Sequence, residues 1–296
     1  MLSDVLWQVI LLPGVATVVV LIGLGRLWQR PEAISRGVVA VALGTGYAVG
    51  HVSVIGWPQL TSVGATGWLV HVAALAAVSS VVIGRSKHAV LRWGIHATSA
   101  LAIAYLVLRV PIGRWPLATS VGVVAMFAVG IVSTRVSFAR ATSAHPRVGM
   151  LLLLALSALF AGVLVMSGSL LMGLLSGVVA TTVGACLVTS VVFRGAHDAQ
   201  SLSVVASLLW ALGMIGFLFA EMPIPAAVIL AVVPLIWLGV DAACNRARQT
   251  SFRLFILRGA AVVVPMALAL GLTARAYFAP KADTGTDDSY GYEYDL

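Results

Sequence analysis

Residues 148–193 read VGMLLLLALSALFAGVLVMSGSLLMGLLSGVVATTVGACLVTSVVF, without one charged side chain. The hydrocarbon core of a bilayer is about 30 Å thick and a helix rises about 1.5 Å per residue, so about 20 apolar residues cross it once. The quoted stretch is long enough to cross twice, over 148–166 and 170–193. The same measure applied outward gives eight more spans: 5–25, 36–55, 68–84, 93–110, 119–134, 202–221, 224–240 and 259–278. The sequence therefore predicts an all-α integral membrane protein, a polytopic bundle of ten transmembrane helices forming one domain over 1–278.

Composition agrees. The 296 residues are 60% hydrophobic and 9% charged, with a mean hydropathy of +1.05. A soluble domain carries about a quarter charged residues, and a surface this apolar would aggregate in water. The expected solvent, and first partner, is the lipid bilayer.

The formal net charge is +8. Of the 18 Lys and Arg residues, all but Arg109, Arg114, Arg275 and Lys281 fall after odd-numbered spans or at their edges. Arg26, Arg30 and Arg36 follow the first span; Arg85, Lys87 and Arg92 the third; Arg135, Arg140 and Arg147 the fifth. Arg194 follows the seventh, and Arg246, Arg248, Arg253 and Arg258 the ninth. The positive-inside rule then puts these connections in the cytoplasm and both termini on the non-cytoplasmic side. Adding or removing one span would scramble the alternation. No basic face is left for nucleic acid. No Lys or Arg precedes Arg26, so the first span reads as an anchor rather than a cleaved signal. Trp57, Trp68 and Trp115 fall near the ends of spans on one side and Trp28 and Trp93 on the other, where indole rings favour the headgroup interface. Short loops and the lack of organelle signals fit a bacterial cytoplasmic (inner) membrane.

Residues 279–296, APKADTGTDDSYGYEYDL, are polar and acidic. They are expected to form a flexible tail, or a docking peptide using Tyr290, Tyr292 and Tyr294. The halves 1–147 and 148–296 would each hold five spans, an arrangement that inverts a repeat. No residue-level match joins them, and the prolines that interrupt spans (Pro13, Pro234, Pro265) do not correspond.

No catalytic signature is present: no G-x-S-x-G, H-E-x-x-H, Walker A loop or C-x-x-C. No enzyme activity, no ATP and no cofactor are expected. Cys186 lies in a span and Cys244 in a basic loop, with no metal spacing. Small residues recur at three- and four-residue steps: Gly46 and Gly50 in span two, and Gly173, Gly177, Ala180 and Gly184 in span seven. Such faces let helices approach closely in lipid.

His51 and His71 each lie one turn from the same end of adjacent spans two and three. Two imidazoles so placed could bind a metal or a haem iron, but no Cys, Asp or Glu completes a set. The inner side offers only His96 within a helix, which argues against a two-haem protein. Arg109 closes span four and Glu221 closes span eight on the same side as the histidines. If the helices converge, His51, His71, Arg109 and Glu221 form a mixed-charge polar cluster opening outward, with Arg109 holding an anionic group. The plainer alternative is that each reaches water at its own helix end.

The span count is similar to that of ten-helix drug/metabolite transporters, but their termini lie in the cytoplasm, opposite to the charge pattern here, and nothing is carried over from them. Two readings of function stay open. The first is a non-catalytic membrane subunit or scaffold with membrane-protein partners. The second is a secondary transporter or flippase for a small or lipid-linked solute, which needs polar residues converging near the midplane.

Overall fold

A computed structural model describes residues 2–27, 31–57, 64–143, 146–193, 199–246 and 251–279. Ten long helices follow one another: α1 (Leu12–Leu27), α2 (Pro31–Ile55), α3 (Leu69–Arg85), α4 (Ala89–Ile112), α5 (Leu117–Ser143), α6 (Pro146–Met166), α7 (Leu170–Phe193), α8 (Ser203–Phe219), α9 (Ile224–Arg246) and α10 (Ser251–Phe278). No strand is present among the described residues. Among the described residues, nine stretches are long and apolar enough to cross a membrane. The tenth expected span falls on α9, whose apolar part, Ile224–Val240, is shorter. At about 1.5 Å per residue it covers about 25 Å, and only the polar remainder of the helix up to Arg246 extends it further. The expected tail lies outside the described residues, apart from Ala279.

Local chemistry explains the hairpin of the opening stretch. α6 ends in a Schellman motif: the N–H of Ser169 donates to Leu164 O at 3.2 Å and that of Gly168 to Val165 O at 3.0 Å. Gly168 carries φ +88, a left-handed conformation that favours glycine. Ser169 then caps α7, its Oγ accepting from the N–H of Met172 at 3.3 Å. The returning helix packs tightly because Gly173 has no side chain; a Cβ there would overlap Val165 and sit 3.2 Å from Ala161 O.

The entry to α1 shows a different device. Over Leu6–Leu11 the helix widens to a π turn, and Leu12 N–H bonds to Trp7 O. In that register the next carbonyl, of Gln8, faces Pro13, which has no N–H to give. Ser53 of α2 donates to it instead, at 2.9 Å. The freed carbonyl thus becomes a contact between α1 and α2.

Short junctions make consecutive helices antiparallel. α8 is the most enclosed helix, packing against α3, α4, α5 and α7. The glycine steps read from sequence are internal packing faces. Gly46 and Gly50 lie against Pro13 and Thr17 of α1 and Val178 and Thr182 of α7, and Gly177 lies against Val9. A five-helix repeat would pair α2 with α7 and α3 with α8, and both pairs are in contact. The α1–α7 and α6–α10 contacts have no counterparts of similar extent, so any internal symmetry is partial.

Three expectations are corrected. Arg135 and Arg140 are not in a loop: α5 runs on to Ser143, so both are helical, and Arg135 is buried. Arg258 likewise lies inside α10 and is buried. Cys244 belongs to α9 rather than to a loop. Hydropathy ends a span at the first arginine. Hydrogen-bonded helices continue past it whenever neighbouring helices supply partners for the guanidinium.

Candidate functional site: polar clusters at the two ends of the bundle

The first cluster sits where α2 ends and α3 begins. His51 is fully buried, and neither ring nitrogen has a hydrogen-bond partner. Tyr47, one turn earlier, is also buried; its ring lies 5.9 Å from the imidazole and its hydroxyl is unpartnered. A 3₁₀ turn, Ala65–Trp68, leads into α3 and sets Trp68 5.0 Å from the ring of His71. The same indole also carries the Arg109 guanidinium, 5.3 Å from the ring centroid, a cation–π contact reaching across from α4. His51 and His71 lie within electrostatic reach of each other.

The structure therefore brings His71 and Arg109 onto one tryptophan, with His51 near enough to His71 to interact electrostatically. Glu221 is not joined to this group by a hydrogen bond or ion pair; it is exposed in the α8–α9 junction, at φ +51. No group of three or more His, Cys, Asp and Glu gathers for a metal among the described residues. Buried polar atoms of a native protein are normally bonded. The His51, His71, Tyr47 and Trp68 atoms left without protein partners mark a place suited to water or a small polar ligand.

The second cluster was not legible in the sequence. Arg135 projects from α5 and is 1% exposed. Its Nε donates to Ser207 Oγ of α8 at 2.9 Å, and its Nη1 donates to Ser99 Oγ of α4 at 2.7 Å. Nη2 has no partner, and no carboxylate among the described residues reaches the group. Hydroxyls extend the network: Ser207 Oγ donates to Ser203 O at 2.7 Å, and Ser203 Oγ hydrogen-bonds Ser80 Oγ of α3. Near Arg135, Trp210 Nε1 donates to Thr134 Oγ1. Four helices thus supply hydroxyls around one buried cation. Ser80, Ser99, Ser203 and Ser207 are the signal that could have been read, but serines are frequent in these spans and nothing in the sequence links them.

Between the clusters lies an apolar layer. His96 and Arg109 on α4 are separated by about 20 Å of helix. The buried positions between them include Ala100, Ile103, Ala104 and Val107, matched by Val72, Ala73 and Ala76 on α3 and Leu43 on α2. A groove of about 470 Å³ between α2 and α3 is apolar apart from Thr45. Compared with protein families, curated proteins and solved structures, the chain matches none of them.

Proposed function

We propose that this chain is a non-catalytic membrane subunit or scaffold. In this reading it is inserted in a bacterial cytoplasmic membrane with both termini on the non-cytoplasmic side and works through membrane-protein partners. One observation carries it. The hydroxyls in the middle of the bundle turn onto helix carbonyls instead of lining a path. Ser157 donates to Leu153 O at 2.8 Å and Thr182 to Val179 O at 2.8 Å, each within its own helix. Ser176 donates to the backbone of α6, at Ser157 O, at 3.1 Å. In lipid such bonds satisfy a polar group without any aqueous neighbour. A transporter or flippase needs the reverse, polar groups converging on a hydrated cavity near the midplane.

Thiol accessibility tests this. In a background with Cys186 and Cys244 replaced by serine, cysteines at Ser157, Ser176 and Thr182 are expected to resist a membrane-impermeant maleimide from both sides. A cysteine at the 83% exposed Trp57, in the junction after α2, should react. Rapid labelling at two of the three interior positions would replace this reading with the transport one. The subunit role also expects a stable assembly larger than the 30.7 kDa chain after mild-detergent extraction of native membranes. A lone chain would count against it.

Orientation is tested separately. Reporter fusions at residues 88 and 142 should report cytoplasm, and fusions at 62 and 290 should not. A cytoplasmic reading at 290 would overturn either the span count or the orientation.

A further inference from the structure

Beside the Arg135 network the basic end of the bundle holds a pocket of about 320 Å³. Its walls are Arg92, Trp93 and His96 of α4, Val136 and Arg140 of α5, and Gln200. This volume is at the small end of ligand sites, enough for a compact polar group.

We propose that this pocket binds a phosphate-type oxyanion. His96 lines it, is 8% exposed, and has no partner at Nδ1. Arg92 stands at the pocket's exposed side, and its planar guanidinium can fork two bonds to one anion. Arg140, itself engaged with a neighbour, adds positive charge at the wall. Arg135 lies next to Val136 in the chain and interacts electrostatically with His96; among the described residues its buried positive charge is held by hydroxyls, those of Ser207 and Ser99. A cation enclosed without an anion is costly, and an anion in the adjoining pocket supplies the missing countercharge. From α4 the pocket takes Arg92 at the end of the first turn and Trp93 and His96 of the next, on a helix with no acidic residue in its first turn. The ring of Trp93 packs 6.0 Å from that of His96 and closes one side.

The same chemistry is offered by free phosphate and by the headgroup of an anionic lipid, and the test separates them. Full-length protein in an uncharged detergent is titrated by calorimetry with inorganic phosphate, with dihexanoyl phosphatidylglycerol, and with dihexanoyl phosphatidylcholine as the zwitterionic control. Saturable binding of phosphate or of the glycerol lipid, in preference to the choline lipid, is expected. Arg92→Gln should weaken it about tenfold or more, the effect of one charge-assisted forked contact. His96→Gln should weaken it by a smaller factor, and Arg275→Gln, on an exposed residue in the last turn of α10, should leave it unchanged. Binding of phosphate identifies a soluble anion; binding of the glycerol lipid alone identifies a headgroup. The proposal is overturned if neither anion binds saturably, or if Arg92→Gln and His96→Gln, with melting unchanged, bind as tightly as the parent. The site would also lie elsewhere if a ligand-induced change in tryptophan emission persisted in full in Trp93→Phe.

Discussion

Gly46→Leu is expected to destabilise the bundle by about 3 kcal/mol or more, among the largest effects of any single substitution in this chain. Three helices meet at this glycine. Its missing Cβ would overlap Thr17 Oγ1, lie 2.8 Å from Thr182 Cγ2 and lie 3.0 Å from Pro13 O. The last of these is backbone, and Thr17 is fixed by its own bond to that carbonyl at 2.7 Å. None can yield by a rotamer change alone, so α1 or α7 must move away from α2. In lipid that separation loses van der Waals contact that no hydrophobic drive restores. Unfolding in mixed micelles with a rising fraction of dodecyl sulfate measures the loss. Gly271→Leu is the control, because nothing lies within 4 Å of the Cβ it would add. Equal unfolding midpoints for Gly46→Leu and the parent would mean that these three helices do not meet as described.

Removing both hydroxyls that hold Arg135, in the pair Ser99→Ala and Ser207→Ala, should cost about 3–5 kcal/mol. Each bond to the guanidinium is charge-assisted, and the group is 1% exposed, enclosed by α4, α5 and α8. Leaving a buried ion without partners is what makes the loss large, so removing the ion should relieve it. Adding Arg135→Met to the double variant should recover most of the stability, because a flexible apolar chain of similar length fills the space without desolvating a charge. The comparison is read in the same unfolding assay. If the triple variant is no more stable than the double, packing and not the unpaired charge accounts for the cost. If Arg135→Met alone is also well folded, the arginine is not needed to hold the fold, which fits retention for the anion chemistry of the adjoining pocket.

What sequence alone determined is what depends on one helix at a time. Apolar length located the long helices, because length and hydropathy are properties of each segment by itself. The break between 166 and 170 and the small faces at Gly46, Gly50 and Gly173 were legible for the same reason: a pause in apolar sequence or a missing Cβ is a local property. The aromatic and histidine cluster was half legible. His51, His71 and Arg109 could be set at one level by counting turns, but the Trp68 ring joining two of them, and the separation of Glu221, depend on helix rotation. Helices that are apolar on almost every face carry little record of which face turns inward or which neighbour it meets. For that reason the sequence alone places Arg135 in a loop, and only the packing of α4, α5 and α8 around it makes it a buried charge held by Ser99 and Ser207. The tertiary structure decided that site because its partners lie 36 and 72 residues away in the chain, and their meeting is set by how the helices fit together.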